Sequence, residues 1–151
     1  MDKLEVLKRS DVFHYLDYED LKTVAEMCVV EEFKPGEIVF RQGRDAEKIY
    51  VIEDGLVSLM LELGPTDKRQ IQAASNYECF GWAATIPPYR RFNMAKAEEK
   101  TKVLAFDGKK LRDLVNTNPK LCAEIAGGVA YVISQRLRAS FSQLMGDAYQ
   151  D

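Results

Sequence analysis

The chain has 151 residues, 46% of them hydrophobic by type and 30% charged, which suits one domain with a hydrophobic core rather than a string of modules. Its formal net charge of -3 provides no global basic footprint and argues against a direct grip on nucleic acid, leaving only a local basic patch. Cys28, Cys79 and Cys122 are isolated and odd in number, with no C-x-x-C pair or histidine cluster, so no disulfide framework or zinc site is indicated. They read as small buried apolar residues in a reducing compartment.

The N-terminus carries charge where a signal peptide needs an apolar run, and nowhere do 18 apolar residues follow one another, so a soluble cytoplasmic protein is expected. Leu4, Val6 and Leu7 open a helical stretch, and residues 11–16 make a compact apolar turn with Val12, Phe13 and Leu16. Asp17 and Asp20 frame the next start in the manner of a capping box, with Leu21, Val24, Ala25 and Cys28 near helical spacing behind it.

From about residue 29 to 106 the period changes. Lys34-Pro35-Gly36-Glu37 predicts a type II turn, in which glycine takes the positive φ. Residues 38–40 and 49–52 read as short strands, and Asp54-Gly55 as a two-residue hairpin before a strand over 56–63. There Val57, Leu59, Leu61 and Leu63 share one face. Gly64-Pro65-Thr66-Asp67 turns the chain into residues 68–74, with Ile71 and Ala73 predicted inward. Residues 94–97 and 101–106 are further strands, separated by the charged Glu98-Glu99-Lys100. Many short strands joined by Gly and Pro turns argue for a barrel or jelly roll.

The last third returns to helix. Asp107 can cap a short one carrying Leu111, Leu114 and Val115, and Asn118-Pro119 is an N-cap with proline in the first helical position. From there to about Met145, Leu121, Ile125, Gly128, Val129, Val132, Ile133, Leu137, Phe141 and Leu144 recur every three or four residues. So long a helix outruns one small barrel, and its twin in a second copy is a ready partner. Gly127 and Gly128 each cost about 1 kcal/mol relative to alanine. They fit a close approach of two backbones or of the barrel wall, or else a break into two shorter helices.

The stretch from Gly81 to Arg91 can be read on chemistry alone. Gly81 to Ile86 can form a helical turn that Pro87-Pro88 stops, its free N–H groups favouring an anion. Arg91 lies just beyond, able to give two parallel hydrogen bonds to a phosphate or carboxylate. The plainer alternative for Arg90 and Arg91 is a solvated or salt-bridged surface charge.

The order of elements and two motifs together resemble the cyclic-nucleotide-binding domain superfamily, which includes the bacterial catabolite-activator type regulators and the protein kinase A regulatory subunit. The motifs are Phe33-Lys-Pro-Gly-Glu-Ile-Val-Phe-Arg-Gln-Gly43 with Ile49-Tyr-Val-Ile-Glu-Asp-Gly-Leu-Val57, similar to the three-glycine signature, and the run from Cys79 to Ala97, similar to the phosphate-binding cassette. The resemblance implies a mainly β fold with α elements: an antiparallel double-stranded β-helix, or jelly-roll barrel, over about residues 29–106, short N-terminal helices, C-terminal helices over about 108–145 and one domain across 1–151. It implies that Arg91, nine residues after position 82, grips a cyclic phosphate, and that the long helix dimerises. The candidate ligand-binding residues are Phe80, Gly81, Trp82, Ala83, Ala84, Arg90, Arg91, Phe92 and Asn93. The candidate dimer residues are Ile125, Gly128, Val129, Val132, Arg136, Leu137 and Phe141.

The cassette departs from the family pattern at its centre. Trp82 stands where the family usually has a glutamate for the ribose hydroxyl, and indole has one donor and no acceptor. Phe92 and Asn93 replace small residues beside the arginine. Trp82 can plug the pocket, stack on a non-standard ligand, or be a tolerated change that still admits a cyclic nucleotide.

Enzymatic chemistry is not expected. His14 is the one histidine, in a plain helical or surface setting, and there is no G-x-G-x-x-G fingerprint, Walker-type loop or H-E-x-x-H. No cofactor is implied beyond a cyclic nucleotide or another anion. With the sequence ending six residues past Met145, no helix-turn-helix is expected, and output passes through self-association or an unknown protein partner. The two readings carried forward are a ligand-sensing module and a structural or interaction module with a closed pocket.

Overall fold

The structure, a computed structural model, describes residues 1–150, with side chains through Gly146. Helix α1 (Lys3–Arg9) starts at an Asp2 cap, and α2 (Tyr18–Met27) starts at Asp17, whose carboxylate accepts from the Asp20 N–H. Cys28 falls outside α2: it opens β1 (Cys28–Phe33), where a β-branched pair, Val29 and Val30, favours extended chain. There follow β2 (Ile38–Phe40), β3 (Lys48–Asp54), β4 (Val57–Gly64), β5 (Asp67–Ala74), β6 (Cys79–Phe80), a single 3-10 turn (Trp82–Thr85), β7 (Met94–Ala97) and β8 (Thr101–Asp107). Helices α3 (Gly108–Thr117), capped by Asp107, and α4 (Pro119–Gln150), capped by Asn118, complete the chain.

The strands form two antiparallel four-stranded sheets, ordered β1-β8-β3-β6 and β2-β7-β4-β5. The expected jelly-roll barrel is therefore corrected to a mixed α/β fold of two open sheets: among the described residues no strand ladder joins them into a closed barrel. The turn chemistry explains the difference. Asp54-Gly55 does not make a hairpin, because β3 pairs with β6 and β8 while β4 pairs with β5 and β7. Gly55, at φ 140°, instead carries the chain from one sheet to the other across Thr101, so closely that a Cβ would overlap it. The Glu98-Glu99-Lys100 segment makes another crossing between the sheets, from β7 to β8.

Strand β5 corrects another expectation. Leu59 pairs with Gln72 and Met60 with Gln70, so Ile71 is the extra residue of a bulge. Its side chain is exposed, as is Ala73, and Ala74 is the one that turns fully inward. One inserted residue reverses the faces of a strand, and the period-2 reading breaks there. Leu63, at the far end of β4, is also exposed.

The core has two layers. Tyr50, Ile52, Val57, Leu59, Phe80, Val103 and Ala105 pack in one cluster, while Ile49, Val51, Leu104 and Phe106 face the helices and meet Val12, Phe13, Leu121, Ile125, Val129 and Val132. Strands β3 and β8 thus bury both faces, which is why each is a nearly continuous apolar run. Helix α4 is unbroken through Gly127-Gly128. Gly128 lies against the Val12 carbonyl and the Tyr15 hydroxyl, with no room for a Cβ, whereas Gly127 faces open space. The close approach is made at Gly128 alone, by the chain's own N-terminal turn.

Candidate functional site: the cassette and its buried arginine

Strand β6 delivers the chain to Gly81, whose φ of 81° reverses it into the 3-10 turn. The Thr85 hydroxyl closes that turn by donating to the Trp82 carbonyl at 2.8 Å. The return limb is stitched to the loop before β3: Gly43 N–H donates to the Arg91 carbonyl, and Arg91 N–H to the Arg44 carbonyl, both at 2.8 Å. Ala83 and Ala84 are buried under the turn. These backbone bonds aim the Arg91 side chain inward.

Arg91 is 4% exposed. Its Nη1 donates to the Gly81 carbonyl at 2.9 Å and its Nη2 to the Lys48 carbonyl at 2.6 Å, and the guanidinium lies over the Phe40 ring at 3.8 Å. Nε is buried without a hydrogen-bond partner. Burial lowers the guanidinium pKa to about 10, with Tyr50 and Glu47 opposing the shift, so the group stays charged at neutral pH. The arginine that the motif singled out is thus already committed to two carbonyls and a ring.

The space on the strand side of the cassette is nearly gone. Leu59, Gly81, Trp82, Ala83, Arg91, Phe92 and Asn93 enclose about 10 Å³. A pocket for a drug-sized ligand spans roughly 300–1,000 Å³. Trp82 is half-buried and its ring centre lies 6.3 Å from that of Phe92, which is itself half exposed; Asn93 is buried. Phe80, fully buried, stacks on Tyr50 at 4.9 Å and belongs to the core.

Two open recesses flank this closed space. The outer one, about 420 Å³, is formed by Trp82, Ala83, Ile86, Pro87, Pro88, Arg90, Arg91 and Phe92. Arg90 is exposed there, paired with Asp45 at 3.4 Å. The other, about 230 Å³, sets Glu31, Asp45 and Glu47 beside Arg91, with Lys48 bound to Glu31 at 3.1 Å. Burial, reinforced by the Glu31 charge, pushes the Tyr50 hydroxyl there up to about 12. Three carboxylates around that recess disfavour an anion.

The candidate dimer residues divide into three groups. Ile125, Gly128, Val129 and Val132 are buried in the chain's own core. Leu137 and Phe141 are exposed, on one stripe with Leu144 and Met145. Arg136 turns inward, donating to the Ala73 carbonyl at 2.9 Å and the Cys79 carbonyl at 3.1 Å. Sequence reasoning missed the supports of the site: Phe40 beneath Arg91, and Arg112, which lies 3.9 Å over the Tyr89 ring and donates to the Ala84 carbonyl. Both contacts cross from distant segments, and no local spacing marks them. His14 is exposed and near the Ser10 carbonyl. Among the described residues no cluster of three or more His, Cys, Asp or Glu could hold a metal, and no helix is long and apolar enough to cross a membrane.

The cyclic nucleotide-binding domain family model matches residues 30–118, bearing out the resemblance carried by the motifs. A Rhodopseudomonas palustris protein assigned as a potassium channel is 30% identical over 144 residues. The match covers 95% of this chain and 34% of that protein, so the chain spans about a third of the length of this curated relative. A cyclic nucleotide-binding domain from Methylobacillus flagellatus superposes with a TM-score of 0.83 at 15% identity, covering 97% of this chain and 82% of that one. The Thermus thermophilus catabolite activator protein gives 0.75 at 23% identity, covering 93% and 64%. These two likenesses are of fold alone, while the family match spans more than half of the sequence and contains the whole cassette. The chain belongs to the cyclic nucleotide-binding domain family.

Proposed function

We propose that this is a regulatory domain whose nucleotide pocket is filled by its own side chains and whose output is the exposed distal stripe of α4, presented to a second copy of the chain. The observation that carries the reading is the committed state of Arg91 beside a space of about 10 Å³. Trp82 takes the place where a ribose-binding acid would stand, and Phe92 and Asn93 fill the flank. Leu137, Phe141 and Leu144 lie 52%, 57% and 66% exposed on consecutive turns, more apolar surface than a helix leaves in water without use. The three free thiols suit a reducing compartment, and we place the domain in the cytoplasm.

One observation favours the sensing alternative, in which the Gly81 turn and Arg91 hold an anion or nucleotide phosphate: Arg91 Nε is buried and unpaired, a donor that an arriving oxygen would satisfy. Isothermal titration with cyclic AMP and cyclic GMP separates the two. No heat with either supports the closed pocket, and saturable binding supports sensing. Sedimentation velocity tests the output: the wild type is expected to associate and Phe141→Glu to be monomeric, and a monomeric wild type removes the second-copy reading.

A further inference from the structure

Arg136 is the point at which α4 touches both sheets. Its guanidinium bonds to Ala73 on β5 and Cys79 on β6, the edge strands of two sheets that share no ladder, and its Nη2 lies 3.7 Å from the Glu78 carboxylate. The helix backbone is held at the same turn, where the Gln72 amide donates to the Arg136 carbonyl at 3.1 Å. Cys79 is fixed on both sides: its N–H donates to the Asp11 carboxylate at 2.9 Å and its carbonyl accepts from Arg136. Two residues further on lies Gly81, where the cassette turns and Arg91 binds.

Three features distinguish this contact from an ordinary surface pair. The Arg136 side chain is only 13% exposed. Its planar fork spans two carbonyls on different strands, which a single ammonium cannot reproduce. And it sits at the boundary of α4: Val132, one turn before, is fully in the core, while Leu137 and Phe141, just after, are in solvent.

We infer that Arg136 is a positioning residue that couples the cassette to the distal half of α4, holding the exposed stripe in a register set by β6. A displacement of Cys79, one residue before Phe80 and the cassette turn, pulls on Arg136 and shifts the helix at the turn joined to both sheets, one turn before the Ser140 hydroxyl that Gln72 also holds at 3.3 Å. The inference takes α4 as the output element of the reading above, but its test does not need that reading to hold.

The test is a double-mutant cycle read by amide hydrogen exchange at a concentration where the protein is monomeric. Trp82→Ala loosens the cassette, and its effect on the amides of residues 137–146 is measured with Arg136 present and in the Arg136→Ala background. The expected result is about a fivefold rise in exchange with Arg136 present, at the lower end of site-to-site coupling, and no rise without it. Equal effects in both backgrounds overturn the inference, because a purely local anchor gives additive changes. Arg136→Lys is the second variant, keeping the charge beside Glu78 without the fork. It is expected to behave as Arg136→Ala, and full wild-type coupling in it overturns the two-carbonyl link. Titration and sedimentation can fail on their own, which would remove the proposed output and leave this coupling standing.

Discussion

The cassette and the distal half of α4 handle their side chains in opposite ways. At the cassette even an arginine is drawn inside, 4% exposed and bonded to two backbone carbonyls, while past Val132 the helix leaves Leu137, Phe141, Leu144 and Met145 in water. In one region a charged side chain is spent on the protein's own backbone, with only its Nε left unpaired, and in the other apolar side chains have no partner within the chain. On the proposed reading, the fold keeps its architecture while recognition passes from an interior pocket to a helix surface.

The largest expected effect contrasts an arginine from each region. Arg91→Ala removes two charge-assisted bonds, leaving the Gly81 carbonyl with only the long Ala84 N–H bond at 3.3 Å, and it is expected to cost at least about 2 kcal/mol in denaturant unfolding. Arg138→Ala, on the exposed part of α4, is expected to stay within about 0.5 kcal/mol. Equal small effects would mean that Arg91 is not a structural member and would reopen its role as a ligand grip.

The two adjacent glycines sharpen the contrast within a single helix. Gly128→Ala forces a methyl against the Val12 carbonyl and is expected to destabilise by about 1–3 kcal/mol, while Gly127→Ala, facing open space, is expected to stabilise by about 1 kcal/mol. Thermal unfolding of the pair checks both signs.

Asp11 gives a smaller effect, dependent on pH. Burial raises its pKa from 3.8 to about 6, against the hydrogen bond from the Cys79 N–H and the attraction of Arg136, with Glu78 reinforcing the rise. Its folded pKa lies above the unfolded one, so its contribution to stability is full below about pH 3.8 and is lost as pH rises through 6. Asp11→Asn keeps an acceptor for Cys79 and removes the buried charge. It is expected to raise the free energy of unfolding at pH 7.5, by at most about 3 kcal/mol, and to leave it nearly unchanged below pH 3.8.

Much of this was legible in the sequence, and what was not has a definite physical cause. The helix caps at Asp17, Asp107 and Asn118, the strand at Ile49 to Ile52 and the Gly81 turn are local, set by neighbours a few residues away, and spacing revealed them. Asp54-Gly55 misled because the same glycine freedom serves a hairpin and a crossing between sheets, and only Thr101, distant in sequence, decides between them. The bulge at Ile71 left no mark in composition. Motif spacing located Arg91 but not its partners, since carbonyls carry no residue identity, and Arg136 was placed on the dimer face for the same reason: its two acceptors are backbone oxygens more than fifty residues away.

Trp82 is the one tryptophan of the chain and stands in the closed pocket, so its fluorescence reports directly on the central claim. Titration with cyclic AMP and with cyclic GMP into the millimolar range is predicted to leave its emission unchanged once absorption by the nucleotide is corrected. A saturable shift or quench would show a ligand displacing the indole and would contradict a pocket filled by the protein itself.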